Sequence, residues 1–246
     1  MNISDYLINP MGRGSAVLSL PARRKELDAQ YKELYSKIRL TWYMLGDKFY
    51  IAHVKIPSRR HERLFYDVLI CFDIESIPSN TNVINNCNVQ VFSNCPSFTY
   101  TYAHIFNQHK DLIDWTRRKY PSEVLSYKPV QRNPYEVLSY ERSLYFAFRY
   151  ITSNGRNYVD QIKTTSIRVT GYTRILSGVQ SADEIKELNG SLDEKKKEKQ
   201  QKIPVKKESS KSKKDDSKSK PKKGVKKTPT VNKVNKTKKS KKTKKI

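Results

Sequence analysis

The sequence predicts an α+β domain, a mainly antiparallel sheet packed against two or three helices, followed by a disordered lysine-rich C-terminal tail. Three observations carry this reading. Period-two runs rich in β-branched and aromatic residues occupy most of the stretch from 39 to 74. Apolar stripes at three- and four-residue spacing lie on either side of them. The charge is also divided: residues 191–246 hold 24 lysines, six acids and no arginine, whereas all 15 arginines and every aromatic residue lie in 1–190.

The first twenty residues, with turn signals at Asn9-Pro10 and Gly12-Arg13-Gly14, read as an extended N-terminal arm. A domain is expected over 21–176. It opens with a helix in "PARRKELDAQYKELYSKI", where Leu27, Tyr31, Leu34, Tyr35 and Ile38 form the apolar stripe and Pro21 marks the start. "RLTWYML" and "KFYIAHVKI", joined by "GD", read as a hairpin, and "FYDVLICFDI" as a third, buried strand. Short connections make a meander the simplest arrangement. "VQVF" and "SFTYTYAHIF" supply two further strands, the latter by the alternation of Phe98, Tyr100 and Tyr102. "NQHKDLIDWTRRKYP" reads as a helix capped by Asn107 and ended by Pro121. "NPYEVLSYERSLYFAFRYITSNG" reads as a longer one, with Asn133 as cap, Pro134 at its first position and a stop at Asn154-Gly155. "SIRVTGYTRIL" is a strand broken by Gly171, and "SADEIKELNG" a short helix over 177–190 with a capping box at Ser181 and Glu184. The domain boundary falls between Leu176 and Gly190. Beyond it the few apolar residues are isolated among lysines and cannot offset the entropy of ordering the chain.

Several chemistries find no support in the pattern. "NPMGRGS" lacks the preceding strand and third glycine of a dinucleotide loop, and no phosphate-binding loop lysine follows a glycine-rich run. Cys87, Cys95, His104 and His109 have the wrong spacing for a zinc knuckle. Cys71 is expected to be buried in its strand. Asp67, Asp73 and Glu75 are too far apart along that strand to share a small cation, and are expected to punctuate it or to meet Arg59, Arg60 and Arg63. No cofactor, metal or catalytic residue is therefore expected, and no enzyme. The odd number of cysteines argues for a reducing compartment, and neither a signal peptide nor an apolar run of membrane-spanning length is visible.

The basic residues carry the positive signal. In the tail they are Lys195, Lys196, Lys197, Lys206, Lys207, Lys213, Lys214, Lys222, Lys223, Lys226, Lys227, Lys238, Lys239, Lys241, Lys242, Lys244 and Lys245. Such a run exchanges for counterions on a nucleic acid, duplex DNA first, without reading bases. A solubilising tail or a nuclear-import address would share this composition. Arg59, Arg60 and Arg63, together with Arg117 and Arg118 beside Trp115 and Tyr120, form a second candidate surface, and Arg23, Arg24 and Lys25 a further basic cluster that folding could bring onto one face with either. Protein interfaces or ordinary surface use account for the same residues at least as well.

The stretches "NPMGRGSAVLSL", "VFSNCPSFTYTYAHIFN", "LIDW" and "KPVQRNPYEVLSYERSLYFAFRYI" resemble structural proteins of tailed bacteriophages. The resemblance covers about residues 1–155 and leaves the tail outside. It implies a virion or head-associated assembly component, with other structural proteins as partners of the folded domain and packaged DNA as the partner of the tail. The virion is then the expected location, and otherwise the cytoplasm or nucleoid. The alternative is a cellular nucleic-acid-binding accessory protein that uses the arginine clusters of the domain.

Overall fold

Alternating side chains on four successive runs build a meander, and the computed structural model places it at the centre of the folded unit Met1–Ile203. It describes residues 2–8, 16–76, 83–129, 133, 136–154 and 158–201. The chain divides into Met1–Ile203 and Pro204–Ile246, and every described residue belongs to the first unit. Residues 191–201 of the expected disordered tail are helical, and the rest of that tail lies outside the described residues.

The sheet has the order β4-β3-β2-β1-β5. Strands β1 (Arg39–Leu45), β2 (Phe49–Pro57), β3 (Phe65–Asp73) and β4 (Asn88–Ser93) are antiparallel neighbours. The short β5 (Ile167–Val169) adds to β1 in parallel. Gly46 takes φ +59° in the tight β1–β2 turn, a conformation that side chains with a Cβ resist. From Tyr66 to Phe72, β3 is buried at every position, so both faces of the sheet are covered there.

Around the sheet lie α1 (Ile3–Ile8), α2 (Ala16–Leu34), α3 (Pro96–Thr101), α4 (Ala103–Gln108), α5 (Ser122–Ser126), α6 (Arg142–Ser153), α7 (Val159–Thr165), α8 (Thr173–Leu176) and α9 (Ala182–Gln201). The expected two or three helices are too few. α6 packs on β2 and β3, and α1 and α2 pack on α6 in turn. Tyr6 meets Phe148 edge-on at 4.8 Å, and Tyr31 lies 5.8 Å from Phe146. Tyr145 Oη donates to Asp28 at 2.7 Å, which ties α6 to α2 at their polar margin. Among the described residues no helix is long and apolar enough to cross a membrane.

Four local readings need correction. Residues 3–8 are helical, with Ile3 and Tyr6 fully buried, so they are not an extended arm. The next helix starts at Ala16 and carries Pro21 inside it. Residues 96–108 form α3 and α4 instead of a strand. Pro96 opens α3, and Phe98, Tyr102, Ile105 and Phe106 satisfy a helical stripe as well as a partial alternation. The helix expected from Pro134 starts at Arg142. Glu136 and Tyr140 have φ of 52° and 63°, which no α-helix accommodates, and Asn133 bonds Val137 through both its side-chain oxygen and nitrogen.

The remaining differences are smaller. The helix expected over 107–120 is a 3-10 segment at Asp114–Lys119, because Leu112 is diverted to bridge Val91. The strand expected over 166–176 gives β5 and then α8. The Ser181–Glu184 capping box is present, but α9 runs through Gly190 to Gln201, sustained by Glu, Lys and Gln. Val179, Ala182 and Ile185 are buried, so the folded unit extends past the expected boundary.

Glu141 caps α6 from a fully buried position: its Oε2 accepts from Leu144 N at 2.9 Å and from Ser143 Oγ at 2.6 Å. Burial raises its carboxyl above the ordinary value, against the lowering effect of those two donors. A carboxyl with a raised folded-state value contributes stability below its unfolded value and loses it as pH climbs through the folded one. Glu141→Gln does not titrate, so the stability difference should shift in favour of the variant as pH rises from the acidic range to neutrality. Denaturant midpoints for both proteins across that range check this, and a constant difference contradicts it. Phe148→Ala should cost about 3–5 kcal/mol by opening the α1–α6–sheet contact.

Candidate anion-binding cleft

Four segments distant in sequence bring five cations to one cleft of about 440 Å³: Arg23 from α2, Arg59 and Arg60 from the β2–β3 connection, Arg142 from the start of α6, and Lys186 from α9. Ser58, Tyr66, Ser97 and Asn189 add polar groups, and no carboxylate lines it.

The local structure explains how the cations are held. The β2–β3 connection closes through Ser58 N to Leu64 O (2.8 Å) and Leu64 N to His61 O (3.1 Å). Ser58 Oγ lies 3.2 Å from Tyr66 Oη and accepts from Arg60 N at 3.2 Å. His61 is buried beneath this loop with Nε2 3.4 Å from Asp193 Oδ1 of α9, although the angles there do not make a hydrogen bond. The loop is thus anchored from below while Arg59 and Arg60 stay exposed.

Arg142 is the deepest of the five. Its Nε donates to Gln30 Oε1 at 3.3 Å, and its guanidinium lies 4.8 Å over the Phe146 ring. Its buried Nη2 has no partner among the described residues. Burial pushes this guanidinium below its ordinary value; the Cys95 thiol and Glu141 oppose the shift, and Arg59 adds to it. It remains charged at neutral pH, since arginine starts so high. Arg23 is paired with Glu26 at 2.9 Å outside the cleft lining. Like charges without an intervening acid leave a cleft electrostatically suited to an anion with several acceptor oxygens, a phosphate above all.

The structure divides the arginines grouped by sequence. Arg59 and Arg60 share the cleft, whereas Arg63 is exposed on the same connection but does not line it. Arg117 pairs with Asp114 at 2.9 Å, and Arg118 lies 5.8 Å over Tyr172. Trp115 is half-buried and stacked on Tyr172 at 5.4 Å, and Tyr120 is buried with its hydroxyl on Ser93. Arg142 and Lys186 carried no sequence signal, and Arg23 stood in a separate basic cluster; only folding unites them with Arg59 and Arg60. Lys195 is exposed on α9, and Lys196 and Lys197 continue that helix. The tail lysines from Lys206 onward lie outside the described residues.

Other chemical groups are committed elsewhere. Asp67 is buried between His53 (2.8 Å) and Asn94 Nδ2 (3.1 Å), and Asn94 also donates to Gln180 O at 3.0 Å. Glu75 pairs with Lys48 at 2.9 Å, at the far end of β3. Cys87 and Cys95 are buried apart from any group of three potential metal ligands among the described residues. His104 Nδ1 lies 2.9 Å from Leu125 O.

Comparison with protein-family models, with curated proteins and with solved structures finds no match to this chain.

Burial pushes the thiols of Cys71, Cys87 and Cys95 up to about 12. A disulfide reagent should therefore label none of them in the native protein at neutral pH, and all three after denaturation. Rapid native labelling of Cys95 would show that the cleft floor is open.

Proposed function

We propose that this chain is a nucleic-acid-binding structural protein without catalytic activity. Its folded unit holds backbone phosphate in the Arg23–Arg59–Arg60–Arg142–Lys186 cleft, and its lysine-rich segment adds affinity that is indifferent to sequence. The observation that carries this is the convergence of five cations on a cleft lined by no carboxylate. Arginine supplies the directional, bidentate part of such a contact and lysine the diffuse part. Residues 204–246, with 19 lysines against three acids, supply a further electrostatic term.

The wider form of the reading is an assembly component of a virion, in which the folded unit also meets other structural proteins. It is supported by the resemblance of residues 1–155 to bacteriophage structural proteins. Its consequence is co-purification with particles at fixed copy number.

Two electrostatic contributions should separate in a salt titration. Removing 204–246, a cut that leaves α9 whole, should lower duplex affinity at low salt and flatten the slope of log K against log salt, with the melting temperature nearly unchanged. For the cleft, replacing Arg59 and Arg60 together by alanine should flatten the slope by up to about 1.8, two phosphates' worth, in the full chain and in the shortened one. Unchanged slope and affinity in the double variant would remove the cleft from the proposal and leave the lysine segment as the binding element.

A further inference from the structure

A second, larger depression adjoins the cationic cleft. It has a volume of about 740 Å³ and is lined by α3, α4, α5, the segment after α5 and α9. Lys186 lines both spaces. Along α9, Asp183 faces the larger groove, Lys186 both, and Asn189 the cleft. Residues three apart share a helix face, and the six-residue step spans about 9 Å. At roughly 3.4 Å per stacked nucleotide that is the span of a few nucleotides of one strand.

The groove differs from the cleft in chemistry. Its walls carry the Tyr100 and Tyr127 rings, with Val124, Pro121 and Pro129 as apolar surface. Tyr127 is 74% exposed, far more than any other large apolar side chain described. The ammonium of Lys186 lies 5.5 Å over the Tyr100 ring, and the Tyr100 hydroxyl bonds Asp183 at 3.3 Å, so that ring is held in place. Both signs of charge are present: Glu123 and Asp183 against Lys128 and Lys186. A groove with ring faces and mixed polar edges suits a flat heterocycle better than another phosphate.

We infer that the folded unit binds single-stranded nucleic acid, with backbone phosphate in the cationic cleft and an unstacked base against Tyr127 and Tyr100 in the adjoining groove, Lys186 bridging the two. This rests on the cleft reading above and deepens it. A duplex presents phosphates to the cleft but keeps its bases paired and stacked, so it leaves the groove empty. The ring contact is sequence-tolerant, because every base has a face to stack.

The test uses the full chain and three labelled probes at a salt concentration high enough to suppress the lysine segment's contribution. The probes are a short oligothymidylate, an abasic oligomer of equal length and charge, and a blunt duplex. The oligothymidylate should bind about tenfold more tightly than the abasic oligomer. Tyr127→Ala, at an exposed position, should abolish that preference without changing abasic affinity, and Tyr127→Trp should retain it. Arg59→Ala should weaken both probes together. Equal binding of base-bearing and abasic oligomers, or preference for the duplex, overturns the inference. If Arg59→Ala still weakens both, the cleft reading survives that result; if it weakens neither, the cleft reading fails as well. A preference that persists in Tyr127→Ala also overturns the inference, since it places the base elsewhere.

Discussion

The buried cap at Glu141 is the contact on which the arrangement turns. Its carboxylate fixes the first turn of α6 through Leu144 N and Ser143 Oγ, and its backbone N–H donates to Tyr6 Oη at 2.9 Å. Ser143 Oγ also lies 2.9 Å from Ser93 Oγ at the end of β4. One residue therefore joins α1, α6 and the sheet. The next residue in the chain, Arg142, is thereby set deep in the cleft with its guanidinium over Phe146. Burying a carboxylate is unfavourable unless its acceptors are occupied, and one oxygen, Oε1, has no partner among the described residues. The neighbouring guanidinium favours the charged form, as the opposing influences on the two groups indicate. Core stability and cleft geometry are coupled through this pair.

The cleft itself is an electrostatically frustrated element of the fold. Guanidinium groups of Arg59 and Arg142 repel each other, and no acid lines the space between them. Natural cores avoid such local conflict except where a ligand resolves it. The contrast with Asp67 is instructive. There a buried carboxylate is matched by His53 and Asn94, both oxygens are used, and the group serves to hold the β3–β4 end of the sheet to the segment before α9. It leaves nothing unpaired for a ligand.

The sheet was legible because its strands are half-buried or fully buried runs with tight turns between them. Leu40, Trp42 and Met44 alternate against Thr41 and Tyr43, and the hairpin follows from Gly46. Residues 96–106 were not, because tyrosine and threonine favour strands locally while Pro96 and the packing of Phe98 on Phe106 (5.2 Å) favour a helix. The start of α6 was misplaced because Asn133-Pro134 imitates a helix start, and the later cap at Glu141 depends on Tyr6, 135 residues away. The site divides in the same way. Arg59 and Arg60 were visible as one charge cluster and Arg23 as part of another, while Arg142 and Lys186 carry no signal in isolation, and the meeting of all five depends on tertiary contacts. Tyr127 was one tyrosine among 16 until its exposure set it apart.

The most direct measurement of the central claim is residue-resolved mapping of a short single-stranded oligonucleotide on the isotope-labelled full chain, by amide chemical-shift changes. The cleft account predicts changes that saturate together at 58–60, 95–97, 142 and 186–189, the segments that line the cationic space. Changes confined to 204–246, with those segments unmoved, would contradict it.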